Sequence, residues 1–263
     1  MKVGILDLLS PGRSATRKHA FADYMTTRQY ASVMPQAIAV WCRQLGHQVF
    51  YDTFYGQSDP KRLLPDDLDV VFISGPTMSG PLAYAMSKLY KGENTLTVTG
   101  GPHAKAFPQD CLRYFDLVVT QCDKQLITEI LNGDHRPGGI VSSGRLLSEL
   151  PSVEERMPEV KIASFFKKTR PFFGTMVPLL ASLGCPYSCN FCTDWSNPYV
   201  VIQPDQLEAD LNYLSRTFPG VKITFHDPNF AVKFDDTLDV LERIPEGQRN
   251  PYVMESSLSV IKE

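Results

Sequence analysis

With 263 residues, 43% of them hydrophobic and 21% charged, the chain is long enough for one large domain or two modest ones with real cores. That composition excludes a disordered polypeptide, and a formal net charge of −3 offers no electrostatic footprint for a nucleic-acid backbone. No window reaches the apolar length of a membrane-spanning helix, so neither membrane nor nucleic acid is indicated as a partner.

The first apolar run, Lys2–Leu9, is short and interrupted by Asp7, with no small-residue cleavage site behind it. It reads as a buried strand rather than a signal peptide, and a cytoplasmic location is the expectation. Ala37, Val40, Trp41 and Leu45 share one helical face, and Gly46 stops that helix. His47–Thr53 predicts the second strand and Leu68–Ser74 the third, followed by a Gly-Pro turn and a helix near Leu82–Leu89. Thr95–Gly100 and Asp116–Thr120 predict two more strands, and Leu126–Leu131 a closing helix. Five strands alternating with helices over residues 1–133 imply βαβ units and a parallel sheet, as in a doubly wound, flavodoxin-like (Rossmann-like) α/β domain.

Residues 134–175 lose that rhythm. They are rich in Pro, Gly, Ser and charge, the composition of an interdomain linker with room for one short hairpin. From residue 176 to 263 the α/β rhythm resumes. Val177–Leu183 predicts a strand, and Leu207, Leu211, Leu214 and Phe218 form an apolar stripe that makes Asp205–Phe218 a helix. Val221–His226 predicts a strand, Asp235–Ile244 a helix and Tyr252–Ser257 a third strand.

Of six cysteines, Cys42 and Cys111 are most simply core thiols and Cys122 is ambiguous, whereas Cys185, Cys189 and Cys192 crowd into eight residues. Half the cysteines in one turn is no disulfide scaffold; it points to a reducing compartment and a metal. Thiolates suit zinc or iron–sulfur centres. A structural zinc wants a fourth ligand from a second knuckle, and the nearest downstream candidate, His226, lies at a distant strand end. Three cysteines leave a [4Fe–4S] cluster with one open iron. A non-catalytic zinc protein is the alternative from another class.

The run Cys185-Pro186-Tyr187-Ser188-Cys189-Asn190-Phe191-Cys192, at the carboxyl end of a predicted strand, resembles the radical S-adenosylmethionine superfamily. The resemblance implies that Cys185, Cys189 and Cys192 ligate the cluster. The open iron then chelates S-adenosylmethionine, which is cleaved reductively to a 5′-deoxyadenosyl radical, and Phe191 packs near the adenine. His226-Asp227-Pro228-Asn229-Phe230 resembles an Asp-rich segment of the superfamily's cobalamin-associated branch. There Asp227 would accept hydrogen bonds from the cosubstrate ammonium; the same residues also make a plain helix-entry turn. Glu255 is either a further contact to cosubstrate or substrate, or a surface carboxylate.

Thr99-Gly100-Gly101-Pro102-His103-Ala104, with Pro108 and Phe115–Val119, resembles the B12-binding domain that precedes many such barrels. By that resemblance Ser74, Thr77, Gly100 and Gly101 contact the nucleotide tail of cobalamin. No Asp-x-His-x-x-Gly motif supplies a lower cobalt ligand, and Gln121-Cys122-Asp123 replaces the family's Gly-Glu-Gly. His103 either faces ligand or bonds to backbone at a helix start. The long connection Ser10–Pro35, with Arg13, Arg17, Lys18, His19 and Arg28, either closes over the junction between domains, binds an anionic substrate, or is a solvated excursion.

The resemblance covers nearly the whole chain, but only three of the family's six barrel strands are found. The expectation is an incomplete barrel, either truncated and catalytically inactive by itself or completed by a second polypeptide. The implied activity is cobalamin-dependent methyl transfer, or a radical rearrangement or cyclisation. Its substrate would be a small molecule or peptide, with electrons from a flavodoxin- or ferredoxin-type donor. A radical enzyme whose N-terminal domain binds no cobalamin is the alternative.

Overall fold

The computed structural model describes residues 1–10, 31–56, 59–147, 149–164, 166–167, 170–171, 174–190, 192 and 198–257. They fall into two compact units, Met1–Arg145 and Leu146–Glu263. No helix among the described residues is long and apolar enough to cross a membrane.

The first unit runs β1 (Lys2–Leu8), α1 (Val33–Gln44), β2 (Gln48–Phe54), β3 (Val70–Ser74), α2 (Gly80–Tyr90) and β4 (Leu96–Gly100). Two short helices, α3 (Pro102–Ala106) and α4 (Pro108–Cys111), precede β5 (Leu117–Gln121), α5 (Lys124–Asn132) and β6 (Gly139–Ser142). The strands form one sheet, all parallel, in the order β2-β1-β3-β4-β5-β6. Continuous apolar runs such as Val70-Val71-Phe72-Ile73 form its centre because such a sheet is covered on both faces. Leu6, Leu8, Val71 and Ile73 pack with Met86 and Tyr90 of α2, while α1 lies on β1, β2 and α5. Chain order reverses between β1 and β3, so their carboxyl ends flank the crevice where open α/β sheets take ligands.

The stretch 134–175, expected as a linker, carries regular structure. Gly133 ends α5 in a left-handed conformation (φ +80°), and Gly139–Ser142 then pairs with β5 as a sixth strand. Its four residues alternate between half-buried and exposed, too short and too polar-flanked to signal a strand. Further on lies α6 (Val153–Ala163), capped by Ser152, whose side chain takes the Glu155 amide while Glu155 reaches back to the Ser152 amide. The Ser-x-x-Glu spacing of such a box is legible in sequence. What hides the helix is Pro158 in its middle and two charged side chains, Arg156 and Glu159, on its buried face.

Those charges tie α6 into the second unit. The Arg156 guanidinium donates to the carbonyls of Pro151 and Pro178, and Asp210 accepts the Val153 amide at 2.8 Å. After a two-residue hairpin, β7 (Phe166–Lys167) with β8 (Arg170–Pro171), come β9 (Met176–Leu179), β10 (Ser182–Leu183) and β11 (Val200–Val201). Then α7 (Pro204–Thr217), β12 (Lys222–Phe225), α8 (Phe234–Glu242) and β13 (Tyr252–Val253) follow. β13, β12 and β9 make a parallel sheet with β12 central, and β10 and β11 pair antiparallel. The core joins Val153, Met157 and Val160 of α6 to Val177, Leu179, Ile223 and Phe225 and to the predicted stripe Leu207, Leu211, Leu214 and Phe218.

Candidate functional site

The predicted strand Val177–Leu183 is two strands. The last sheet rung is the His226 amide donating to the Leu179 carbonyl at 2.9 Å. The next free amide, that of Ala181, goes instead to Asp227 Oδ2 at 3.0 Å, so the chain leaves the sheet there. Ser182–Leu183 then pairs with Val200–Val201, and this ladder closes the base of the segment 184–199 that holds the three cysteines. Gly184, at φ +66°, turns the chain into that segment, a conformation that favours glycine.

Cys189 is exposed, and Cys185 and Cys192 are half-buried. The Cys192 amide donates to the Cys189 carbonyl at 3.1 Å, which tightens the end of the turn. Among the described residues no three His, Cys, Asp or Glu side chains converge on a point an ion could occupy. Three soft thiols on one solvent-reachable turn are a donor set that fits an iron–sulfur centre, and among the described residues no second pair of thiols stands by to close a zinc site. Phe191, and the cationic residues Arg13, Arg17, Lys18, His19 and Arg28, lie outside the described residues.

Asp227 is 4% exposed, and both carboxylate oxygens are engaged, Oδ2 by the Ala181 amide and Oδ1 by the Ser182 hydroxyl at 2.6 Å. Burial pushes its pKa up to about 6 against the lowering effect of these bonds. Glu255 is exposed, and its backbone carbonyl accepts from the Phe230 amide at 2.9 Å.

In the first unit, the sheet reversal brings Asp7 of β1 opposite Ser74 of β3. Asp7 is fully buried; its carboxylate accepts from the Ser32 amide (2.9 Å), the Ser32 hydroxyl (3.3 Å) and the Ser74 hydroxyl (3.3 Å). Burial outweighs those bonds and raises its pKa to about 6. Beside it the ends of β3 and β4 touch. A Cβ on Gly75 would lie 2.9 Å from the Leu8 carbonyl oxygen, and one on Gly101 (φ +90°) would lie 3.6 Å from Ser74 Cβ. Gly100 is half-buried beside them, whereas Thr77 stands exposed in the turn after β3. The buried hydroxyl of that turn is Ser79.

Two atoms near this edge are buried with no hydrogen-bond partner among the described residues: Ser79 Oγ and His103 Nδ1. His103 Nε2 lies 2.7 Å from the Tyr84 hydroxyl, which donates to Asp110 at 2.6 Å. With its proton committed to Asp110, the Tyr84 oxygen accepts from Nε2–H and leaves a bare lone pair on Nδ1. Burial lowers the His103 pKa, which favours that neutral form. The ring bonds to a side chain, not to backbone, and a Cβ on Gly80 would meet it at 2.6 Å. Cys42 and Cys111 are buried, and Cys122, its pKa raised to about 12 by burial, is half-buried against the Asp123 carbonyl.

Sequence reasoning alone does not reach Ser182, Tyr84 or Asp110, whose hydrogen-bond partners lie far along the chain. Asp7 carries a signal, a lone carboxylate within an apolar strand.

Comparison with known proteins gives this geometry a setting. No family model matches the chain. A solved structure of TsrM, a radical S-adenosylmethionine methyltransferase from Kitasatospora setae with tryptophan substrate and an S-adenosylmethionine analogue bound, superposes with a TM-score of 0.56 at 15% identity. It covers 94% of this chain and 52% of that one. A second TsrM structure, with cobalamin and a [4Fe-4S] cluster bound, matches equally at 0.56 and 14% identity, over 94% of this chain and 54% of the other. The chain therefore shares the fold of about half of TsrM: mixed α/β with a parallel sheet. Among curated proteins, bacteriochlorophyllide d C-8(2)-methyltransferase from Chlorobaculum tepidum is 26% identical over 133 residues, 48% of this chain and 28% of that protein. An uncharacterized methyltransferase from Pyrococcus horikoshii is 25% identical over 208 residues, 68% of this chain and 44% of that protein. The chain spans less than half the length of these curated relatives.

Proposed function

We propose that the chain carries the cofactor-binding part of a cobalamin-dependent radical S-adenosylmethionine methyltransferase. The observation that carries this reading is the three-thiol turn Cys185–Cys192, set at a strand end on a fold shared with TsrM. Cys185, Cys189 and Cys192 would hold a [4Fe–4S] cluster whose unligated iron binds and reductively cleaves S-adenosylmethionine.

This chain's own residues then have distinct tasks. The exposed turn offers its thiols to an incoming centre, while the β10/β11 ladder fixes where the turn begins and ends. In the first unit, Gly100 and Gly101 at the end of β4, the second exposed and at φ +90°, would present bare backbone to a bulky ligand. Those features suit a cobalamin tail laid across Ser74, Gly75, Gly100 and Gly101. The two curated relatives are methyltransferases, which favours methyl transfer over rearrangement or cyclisation. The methyl acceptor would be a small molecule or peptide, and a flavodoxin- or ferredoxin-type protein would supply electrons.

The test is anaerobic reconstitution of the full chain with iron and sulfide. About four iron and four labile sulfide per chain are expected, with a four-iron spectrum that is lost on joint replacement of Cys185, Cys189 and Cys192 by Ala. Zinc bound without iron, or a spectrum untouched by those replacements, would sink the reading.

A further inference from the structure

We propose that Asp227 and Asn229 are positioning residues, a two-armed clasp in which Asp227 pins the base of the cysteine turn to the end of β12 and Asn229 pins the chain after β13 to the same end, and that Asp227 does not bind the cosubstrate ammonium. The proposal rests on the cluster reading above and deepens it. Both residues follow β12, the central strand, and each reaches toward a different flanking strand.

One arm is Asp227. Its two oxygens hold the Ala181 amide and the Ser182 hydroxyl, two and three residues after the end of β9 at Leu179. The Ala181 carbonyl in turn accepts from the Ile202 amide at 2.9 Å, beside the β10/β11 ladder. Ser182 is itself paired across the ladder with Val201, on the returning side of the turn. Ser182 therefore joins the outgoing and returning ends of the segment 184–199 to one buried carboxylate. An ammonium ligand would have to reach a carboxylate that has almost no solvent-facing surface and whose oxygens are each already held by a donor of this chain.

The other arm is Asn229, also buried. Its Oδ1 accepts from the Ser257 amide at 2.8 Å, and its Nδ2 donates to the Ser257 hydroxyl at 3.2 Å. Backbone stitches run alongside: the Phe230 amide to the Glu255 carbonyl, and the Ser256 hydroxyl to the Phe230 carbonyl at 2.8 Å. Just beyond, Ala231 takes a left-handed conformation (φ +57°), uncommon for a residue with a side chain, where the chain turns toward α8. With both arms closed, the carboxyl ends of all three parallel strands are held in one arrangement.

The experiment compares Asp227→Ala, Asp227→Asn, Ser182→Ala and Asn229→Ala in the full chain. Amide hydrogen exchange is read on the metal-free protein; iron content and S-adenosylmethionine affinity are read after reconstitution. Asp227→Ala should speed exchange at Ala181 by about 10-fold, the scale of one hydrogen bond to a charged acceptor, and lower iron uptake several-fold. Ser182→Ala, a milder change that leaves Asp227 intact, should lower iron uptake in part. Asn229→Ala should speed exchange at Ser257. Asp227→Asn keeps an acceptor for Ala181 and should restore both iron uptake and cosubstrate affinity. Full iron with cosubstrate binding weakened 10-fold or more in Asp227→Asn would mark a charge that binds the ammonium, and would overturn the proposal. Unchanged exchange at Ala181 in Asp227→Ala would overturn it as well. A wild-type chain that takes up no iron retires the cluster reading, while the exchange results still decide whether the clasp exists.

Discussion

At the scale of single residues, the buried carboxylates set how this protein responds to pH. Asp7 titrates near 6 in the folded chain against 3.8 as the ordinary value, because burial disfavours its charge more than Ser32 and Ser74 favour it. A folded pKa raised above the unfolded one adds stability that is complete below about pH 4 and is lost as the pH climbs through 6. Replacing Asp7 by Asn removes that dependence. The stability of the wild type relative to Asp7→Asn should therefore fall steadily between pH 4 and 7, as read by urea unfolding at several pH values. Glycine matters at two positions nearby. Gly101→Ala must hold a side chain at φ +90° and should cost about 1–2 kcal/mol. Gly75→Ala drives a methyl against the Leu8 carbonyl and should destabilise at least as much in the same assay.

At the scale of elements, legibility follows the balance between local pattern and distant partners. The stripe Leu207–Phe218 makes α7 readable, since burial of one face needs only the helical period. By contrast, α6 is hidden: its buried face includes Arg156, whose guanidinium is received by the Pro151 and Pro178 carbonyls, partners a local pattern does not name. Its capping box should contribute measurably, and Ser152→Ala should lower the unfolding free energy of the second unit by about 1 kcal/mol. Leu214, wholly buried in the same core, should cost about 2–5 kcal/mol on truncation to Ala, measured by the same unfolding curves. The strand expected over Val177–Leu183 breaks for a related reason: a side chain from β12's end competes with the sheet for the Ala181 amide.

For the molecule as a whole, two compact units each hold their own candidate site, thiols in one and a glycine-lined strand edge in the other. On the reading proposed above, the iron–sulfur and cobalamin loads should be separable. Replacing Cys185, Cys189 and Cys192 together by Ala should abolish iron while cobalamin still co-purifies. Gly101→Val should do the reverse, leaving iron intact and removing the cobalamin absorbance.

From residue order alone came the alternation of strands and helices, the parallel sheet of the first unit and the grouping of three cysteines in one short segment, because each is written in a short window of spacing and polarity. Tertiary structure decided what those residues do once assembled. The Asp227 carboxylate is buried and accepts from Ala181 and Ser182, partners no local pattern names; Thr77 is exposed while Ser79 is the buried hydroxyl of the same turn; and residues 139–142, nondescript by themselves, complete a sheet. A polar group's role depends on which donors and acceptors the fold brings within 3 Å of it, and those partners lie tens of residues away in the chain.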